Sequence, residues 1–522
     1  MKSRIERFFS IFIFFLLIIV ACNNDDNEEL SPVMVSVLSG PDIRLNPSGV
    51  APLTAKVSLT IDMPASMQMR VVGQHGASSD IVREVPTPST SFDLTILGLY
   101  PDFLNQVELT FLDEQGNIIG LETFSIQTDE LISDMPEITI DQIDASAITP
   151  GFNLVNYFGH DGEFLPQRPF MFDEFGDIRW YLDFSDHPTL STLFYDNGLN
   201  RLENGNFIMG DGRSGFLYEI NMLGQVQNTW NLMENGLGFH HHVIEKPNGN
   251  LLVTVNDFDK STVEDVIVEF GRTSGQIVNE WDLNESLDNS RRAWETDLAD
   301  LNIDWFHANA IEFSPSDNSI IVSGRTQGTV KLTEDNEVIW ILAPHLDWGT
   351  SGDGFDLNQF LLQPLDAQGE PIADLEVLEG EANHPDFEWA WYQHSPILLP
   401  NGNVMIFDNG DNRNYAGPGT YSRAVEYRID EEHMTIQQVW TYGKERGPET
   451  FSRIVSKVNY YPNEDNVLFT PGAANFGGSS YGKAIEIDHS SGSVLFEATI
   501  TPPIAPFSIT FHNVQRTSLY GD

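Results

Sequence analysis

Residues 241–253 read HHVIEKPNGNLLV. This phrase begins with a polar residue and a run of strand formers, continues with a Pro/Asn/Gly/Asn turn, and ends in a second apolar run. The same pattern returns with the same spacing at residues 394–406, HSPILLPNGNVMI, so His241 and His394 open equivalent copies. A third copy opens at His307 and has a longer turn, at residues 314–318. Asn-Gly and Asp-Asn tolerate positive φ in tight turns, so each copy predicts a β-hairpin.

A second repeated element lies between these hairpins. It combines a polar turn, usually with glycine, and a strand that ends in an aromatic residue; its six copies end at Trp180, Trp230, Trp281, Trp340, Trp440 and Phe496. Repeats of about 45 to 90 residues with several strands each are typical of propeller blades that carry insertions. The pattern predicts an all-β fold with a six-bladed β-propeller over residues 136–522, and seven blades remain the alternative count.

Residues 33–135 have a different pattern, in which short runs alternate apolar and polar residues and are separated by turn signals. About 100 residues of this kind predict a small β-sandwich of the Ig or fibronectin III type. We expect a spacer or docking domain, because none of its residues suggests chemistry.

The first 22 residues predict a lipoprotein signal peptide. Basic residues precede an apolar stretch that ends at Cys22, the only cysteine of the chain. The sequence around Cys22 resembles a lipobox, and the apolar run is shorter than the ~20 residues of a membrane span. We expect lipidation of Cys22, a polar tether at residues 23–32, and an anchor in the outer membrane of a Gram-negative bacterium, on its periplasmic face or at the cell surface.

The charge balance limits the partners. The chain has 27 basic and 77 acidic residues, a net charge of −50. Nucleic-acid affinity rests on basic side chains that neutralise phosphates, so no nucleic-acid partner is expected. An anionic substrate would require a local positive site, because the overall negative charge of the chain repels it.

Two insertions stand out. Residues 284–304 contain candidate caps and apolar residues at helical spacing in 298–301, which predicts a helix. Residues 344–389 are rich in Gly and Asp and lead into His394, which predicts a lid or rim loop.

The three leading histidines predict one site. If His241, His307 and His394 occupy equivalent positions in three blades, they converge on the channel axis. Arg325 ends the strand that follows His307 and can face the same mouth, which makes an anion site. Two other interpretations stay open. The histidines would only satisfy hydrogen bonds in the channel wall, or they would form a metal site for Zn, Cu, Fe or Ni. The cationic Arg325 counts against a metal.

Several stretches resemble the signature sequences of the bacterial arylsulfate sulfotransferases, the arylsulfotransferase family. They are DWFHANA at 304–310, IIVSGRTQG at 320–328, QH at 393–394 and FDNGDNR at 407–413. The resemblance implies a six-bladed propeller behind a small β-domain. It also implies ping-pong transfer of a sulfuryl group from a phenolic sulfate ester to another phenol, with no nucleotide donor.

The resemblance also implies residue roles. His394 would be the nucleophile that becomes sulfated, a reaction type in which a neutral imidazole splits one displacement into two. The expected contacts to the sulfuryl oxygens come from His307, Asn309 and Arg325. His241 would contact the sulfuryl group or move a proton, and the weaker candidates for substrate binding are Ser456 and His242.

No metal or cofactor is expected, and the small-molecule partners would be an aryl sulfate donor and a phenolic acceptor. A homodimer stays open as an assembly. Two other functions remain as alternatives, a non-catalytic propeller lipoprotein that binds sulfated compounds and a metal-dependent polysaccharide lyase. Family members that depend on a disulfide near the active site are not a guide, since Cys22 has no partner in the chain.

Overall fold

The computed structural model describes residues 34–160, 167–194, 196–292, 296–475, 478, 480–503 and 508–521. The predicted signal peptide, Cys22 and the tether lie outside the described residues. Within these ranges no helix combines the length and the apolar character that a membrane crossing requires.

The first sheet has five antiparallel strands: β1 (Val37–Leu45), β2 (Ala55–Val71), β3 (Ile81–Ile96), β4 (Leu104–Leu112) and β5 (Ile118–Gln127). β2 and β3 are long, and their register shifts between Thr60 and Ala65 allow both to bend. The two edges of the sheet approach where Val35 N donates to Ile119 O at 2.7 Å. The predicted small β-domain therefore contains one continuous curled sheet.

The next four strands complete sheets whose other members come late in the chain: β6 (Glu137–Ile143), β7 (Phe152–His160), β8 (Phe170–Phe172) and β9 (Ile178–Tyr181). Three four-stranded antiparallel sheets then follow in chain order. They contain β10 (Asn200–Arg201), β11 (Phe207–Asp211), β12 (Phe216–Ile220) and β13 (Val226–Asn231); β14 (Leu237–Glu245), β15 (Leu251–Asp257), β16 (Val266–Phe270) and β17 (Ile277–Asp282); and β18 (Ala308–Ser314), β19 (Ser319–Gly324), β20 (Gly328–Leu332) and β21 (Val338–Leu342).

The last three sheets each recruit a strand from elsewhere. One joins β22 (Gln363–Leu365) to β23 (His394–Leu398), β24 (Val404–Asp408), β25 (Arg423–Asp430) and β26 (Thr435–Tyr442). The next adds β6 to β27 (Lys457–Tyr461), β28 (Asn466–Thr470), β29 (Gly482–Asp488) and β30 (Val494–Thr501). The last pairs the final strand, β31 (Ser508–Thr517), with β7, β8 and β9. The chain end thus completes a sheet that began near residue 152.

The hairpins predicted from the repeated phrase are confirmed. β14 pairs with β15, β18 with β19 and β23 with β24, all antiparallel. Gly249 and Gly402 have φ of 82° and 86°, the left-handed region that the tight turn requires and that glycine adopts without a steric penalty.

The first strands of successive sheets contact one another, from β14 through β18, β23 and β27 to β31. Asparagine side chains join them, because each donates its amide to a carbonyl of the next sheet. Asn200 binds Val243 O at 2.8 Å, and Asn459 binds Val514 O at 2.8 Å. The six sheets after the first therefore share one line of inner strands.

The helix predicted within residues 284–304 is wrong for most of its length. Among the described residues of this range the structure has the short helix α1 (Leu283–Ser286) alone, with the side chain of Asp282 accepting from Asn284 N. Further along, Asp288 and Asp300 accept from the backbone N–H groups two residues later. Such local bonds offer the backbone an alternative to the helix, and they produce turns here.

The lid predicted at residues 344–389 is also wrong. β22 pairs in parallel with β26 and forms the edge of this sheet opposite β23. The short helix α2 (Leu375–Leu378) follows β22 in the chain. Val377, Phe387 and Trp389 are buried in one apolar cluster with this sheet. Burial of these apolar side chains holds the insertion at the outer edge of the sheet.

Candidate active site

The site residues lie where the inner strands are irregular. The register shifts between Phe239 and Val243 in β14, between Ala308 and Ala310 in β18, and between His394 and Ile397 in β23. A bulge of this kind bends the strand and re-aims a side chain, and bulges are frequent beside active sites. His241, Asn309 and His394 occupy these irregular positions.

His241 is held between carboxylates. Its Nδ1 pairs with Asp196, which precedes β10, and its Nε2 lies 3.0 Å from Glu264 Oε2 in the loop before β16. Burial alone would lower the pKa of His241, but Asp196 and Glu264 outweigh burial and hold this pKa well above its usual range. His241 is therefore an imidazolium at neutral pH.

His307 lies directly against His241. The two Nε2 atoms are 3.1 Å apart, and His307 Nδ1 lies 2.7 Å from both Asp304 Oδ2 and Glu264 Oε2. His307 Nδ1 therefore faces two carboxylates, and its Nε2 faces the Nε2 of His241. The two imidazoles meet edge to edge at these Nε2 atoms.

His394 has a different partner. Its Nδ1 lies 2.8 Å from Asn409 Oδ1 and 3.2 Å from Tyr392 O. Asn409 Nδ2 donates to the carbonyls of Ser452 and Val455 at 2.8 and 3.0 Å, which fixes the amide with its oxygen towards His394. His394 Nδ1 is consequently the donor, and the lone pair is at Nε2.

The electrostatics keep His394 neutral. Burial lowers the pKa of His394 well below its usual range, and the positive charges of His512, Arg325 and His241 act in the same direction. His394 lines the cavity described below, and no described residue hydrogen-bonds to its Nε2. An unprotonated, unengaged imidazole nitrogen in a pocket is a nucleophile.

Arg325 supplies the fixed positive charge. Its backbone N donates to His307 O at 3.1 Å, and its Nη2 donates to Leu298 O at 3.0 Å. The side chain is buried, and its Nε has no hydrogen-bond partner among the described residues. A buried donor without a partner costs free energy unless a ligand satisfies it, so Arg325 is suited to receive an anion.

Asn309, Ser456 and His242 line the same cavity but are largely engaged by protein groups. Asn309 Nδ2 donates to Gln393 O at 3.0 Å, which supports the peptide before His394. Ser456 Oγ donates to Ser452 Oγ and accepts from Gly472 N, both at 2.9 Å. His242 Nδ1 accepts from Ile311 N at 3.1 Å, and burial lowers the pKa of His242 to about 3. Their role in substrate binding stays a prediction.

The structure adds residues that the sequence did not single out as functional: Asp196, Glu264, Asp304, Asn409 and His512. Asp196 and Glu264 come from loops and follow no repeat, so no spacing indicated them. Asp304 opens the DWFHANA stretch, Asn409 belongs to the FDNGDNR stretch, and His512 lies in the last strand, β31. Asp304 and Asn409 could have been found from the two stretches that contain them.

The cavity is small. Its volume is about 40 Å³, and its lining includes His241, His394, Asn309 and His512. That volume is room for about three water molecules. A sulfuryl-sized group is the largest that could approach it, so any aryl ring must lie outside.

The same side chains could hold a metal ion. Three overlapping groups have donor atoms within 4.8 Å of one another: Asp196, His241 and His512; His240, His241 and Glu264; Glu264, Asp304 and His307. Imidazole and carboxylate donors suit several divalent transition metals. The ion pairs above join most of these side chains to one another, whereas neither ring nitrogen of His240 has a hydrogen-bond partner among the described residues. The expectation that no metal is needed stays a prediction.

The protein is all-β, and a neutral imidazole, His394, and an imidazolium, His241, line one small cavity, with the buried guanidinium of Arg325 nearby. These features suit an enzyme that transfers an anionic group. The family profile described as Arylsulfotransferase (ASST) matches residues 138–506, and that of the Arylsulfotransferase Ig-like domain matches residues 42–129. The chain therefore belongs to the arylsulfotransferase family and is a sulfotransferase.

Curated relatives agree with this assignment. The chain is 29% identical to arylsulfate sulfotransferase AssT of Escherichia coli O6:H1, over 87% of this chain and 89% of that protein. It is 28% identical to arylsulfate sulfotransferase AssT of Lelliottia amnigena, over 88% and 90% of the two chains. Among solved structures, virginiamycin B lyase from Staphylococcus aureus matches with a TM-score of 0.33 at 10% identity, over 70% of this chain and 99% of that one. A likeness of that size supports no functional inference.

Proposed function

We propose that the protein transfers a sulfuryl group from an aryl sulfate ester to a phenol through a covalent sulfo-histidine at His394. One observation carries this proposal. His241 and His307 are paired with carboxylates, whereas His394 is paired with the neutral amide of Asn409. A carboxylate favours the charged imidazolium and an amide does not, so only His394 is set up as a nucleophile.

The proposal includes the arrangement of the sheets as a six-bladed β-propeller. The contacts between successive inner strands support it. The ion pair between His512 of β31 and Asp196 before β10, at 2.9 Å, also supports it, since it joins the last sheet of the series to the first. Such a ring would bring residues of six distant stretches to one axis.

In the first step His394 Nε2 attacks sulfur, the N–S bond forms and the S–O bond to the aryl group breaks. The electron pair of that bond goes to the phenolate oxygen, which takes the proton of His241 Nε2. In the second step the acceptor phenol returns a proton to His241, its oxygen attacks sulfur, and the electron pair of the N–S bond returns to His394. Atoms and charge balance over the cycle, and the order is ping-pong.

Arg325 and the imidazole pair support the moving group. The transferred sulfuryl spreads negative charge over three oxygens, as in phosphoryl transfer, so fixed donors around it supply most of the acceleration. Arg325 Nε, which has no partner among the described residues, is one such donor. The transfer requires no nucleotide donor, because the aryl sulfate ester itself carries the activated sulfuryl group.

Asn409 also matters after the first step. Sulfo-His394 keeps the proton on Nδ1, since the amide oxygen at 2.8 Å accepts it without removing it. The ring therefore stays cationic and remains a good leaving group for the second transfer.

The first test is transfer from 4-nitrophenyl sulfate to phenol, with His394→Ala beside the wild type. His433 is exposed and distant from the cavity, so His433→Ala is the matched control. We expect 4-nitrophenol release by the wild type and the control, and a loss of about 10³-fold or more with His394→Ala. Equal rates in the two would remove His394 as nucleophile. Sulfate-ester binding without turnover by the wild type would favour a binding protein instead.

We also propose that Cys22 is lipidated and anchors the protein to the outer membrane. The lipobox-like sequence and the lone cysteine support this location. Cell fractionation should place the wild type with membranes and Cys22→Ser in a soluble fraction. A wild type found only in soluble fractions would contradict the anchor.

A further inference from the structure

A fourth histidine reaches the cavity from the last strand. His512 lies in β31 between Phe511 and Val514, where the register with β7 shifts. His241 and His394 lie at comparable shifts in their own strands. His512 lines the same cavity, so the bulge in β31 directs it at the site as the other bulges direct their residues.

Asp196 connects His512 with His241. Its Oδ1 lies 2.9 Å from His512 Nε2, and its Oδ2 pairs with His241 Nδ1. The carboxylate is buried, and each of its oxygens has one imidazole. Burial alone would raise the pKa of Asp196, but the two histidines hold it well below its usual range. Asp196 is therefore a charged bridge between two strands that are distant in sequence.

The bridge determines where His241 points. A carboxylate with only one partner can rotate about its Cβ–Cγ bond, whereas His512 fixes Oδ1 and thereby keeps Oδ2 against His241. With Nδ1 anchored, His241 Nε2 faces Glu264 and His307, at 3.0 and 3.1 Å. The other charged groups near His241 and His394 include Arg325, Asp304 and Lys457, and none of the three pairs with Asp196.

We propose that His512 is a positioning residue for sulfuryl transfer, which acts through Asp196 to hold the Nε2–H of His241 beside Glu264 and His307, from where its proton passes to the departing aryl oxygen. This inference rests on the function proposed above. His512 forms no bond to substrate in either step. Its Nε2 stays paired with Asp196 Oδ1 throughout, and the proton that moves is the one on His241.

The leaving group separates this role from a structural one. The nitro group stabilises 4-nitrophenolate, which departs with little help from an acid, whereas unsubstituted phenolate needs its proton during departure. A misplaced His241 should therefore slow transfer from phenyl sulfate much more than transfer from 4-nitrophenyl sulfate. General distortion of the pocket would slow both esters alike.

The experiment compares wild type, His512→Ala, His512→Gln and the control His433→Ala, at saturating concentrations of each ester with a common phenolic acceptor. We expect His512→Ala to lower kcat with phenyl sulfate by about 100-fold, and with 4-nitrophenyl sulfate by clearly less. The Gln amide places its nitrogen near the position of His Nε2 and can donate to Asp196. His512→Gln should recover most of the phenyl sulfate activity.

Thermal unfolding of each variant shows whether the variant is folded. If His512→Ala is unstable, His512→Asn replaces it, because the Asn side chain is too short to reach Asp196. Equal losses with the two esters, unchanged kcat with both, or no recovery in His512→Gln would each overturn the role of His512. A wild type that transfers from neither ester would instead contradict the proposed function. The two failures are thus distinguishable.

Discussion

The hydrogen-bond partner decides what each histidine of the site can do. Asp196 and Glu264 hold His241 protonated, and Asp304 holds the ring of His307 against His241. Asn409 offers His394 an oxygen without a charge. Two histidines of one small cavity therefore differ in charge, since His241 is a cation and His394 is neutral.

Replacing Asn409 by Asp should convert the nucleophile into an imidazolium. A carboxylate at this position raises the pKa of His394, so the variant loses activity by about tenfold for each unit by which the new pKa exceeds the assay pH. Activity should return as pH rises through that pKa, while the wild type, whose pKa of His394 is held low by burial, shows no such rise above neutrality.

The measurement is kcat for 4-nitrophenyl sulfate between pH 6 and 9. Asn289→Asp, an exposed position, is the matched control for the added charge. A variant whose pH profile superimposes on that of the wild type would show that Asn409 does not set the ionisation of His394.

Sequence reasoning reached part of the site. His241, His307 and His394 open equivalent copies of one phrase. In the structure the Nε2 atoms of His241 and His307 lie 3.1 Å apart, and His241 and His394 line one cavity. Arg325 is placed by its bond to His307 O. Asp196 and Glu264 could not be predicted, because they sit in connecting loops whose course depends on tertiary packing.

At the scale of single elements, the FDNGDNR stretch is a support for the segment that ends at His394. Asp408 is fully buried and accepts from Arg413 and Arg423 at 2.8 and 2.7 Å, and its other oxygen accepts from Trp391 N at 2.9 Å. Trp391 lies three residues before His394. β24 thereby fixes the start of its neighbour β23.

Asp408→Asn should destabilise the protein, because it leaves two buried guanidinium groups without their main counter-charge. Removing one partner of a buried ion pair costs about 3 kcal/mol or more. Thermal unfolding followed by circular dichroism should show a melting temperature several degrees below that of the wild type. Asp430→Asn, at an exposed ion pair with His433, should change stability by no more than about 0.5 kcal/mol. Similar losses in both variants would contradict the role of Asp408.

The elements were predictable where the signal is local. Asn-Gly turns and alternating strands identified the hairpins, since turn chemistry needs only neighbouring residues. The failed helix shows the limit of such reasoning, because Asp300 bonds to the backbone of Asn302 and starts a turn instead. The failed lid shows another limit, as the pairing of β22 with β26 joins residues about 70 positions apart.

At the scale of the whole molecule, the site places two positive charges, on Arg325 and His241, in a chain of net charge −50. Arg325 is buried and His241 is largely buried, so solvent screens these two charges little. The acidic remainder of the chain repels itself and weakens the folded state.

Added salt should therefore stabilise the protein. We expect the melting temperature to rise by a few degrees as NaCl goes from about 0.01 M to about 0.15 M, where the Debye length falls from about 30 Å to about 8 Å. Differential scanning calorimetry at fixed pH measures this directly. A fall over the same range would mean that surface ion pairs, which salt weakens, outweigh the repulsion.

The most direct test of the central claim is the mass of the protein after brief exposure to 4-nitrophenyl sulfate without an acceptor. The wild type should gain the mass of one SO₃ group, located at His394 by peptide fragmentation and lost again when phenol is added. His394→Ala should gain none. A wild type that turns over the ester without ever carrying the added group, or that carries it on another residue, would contradict a sulfo-His394 intermediate.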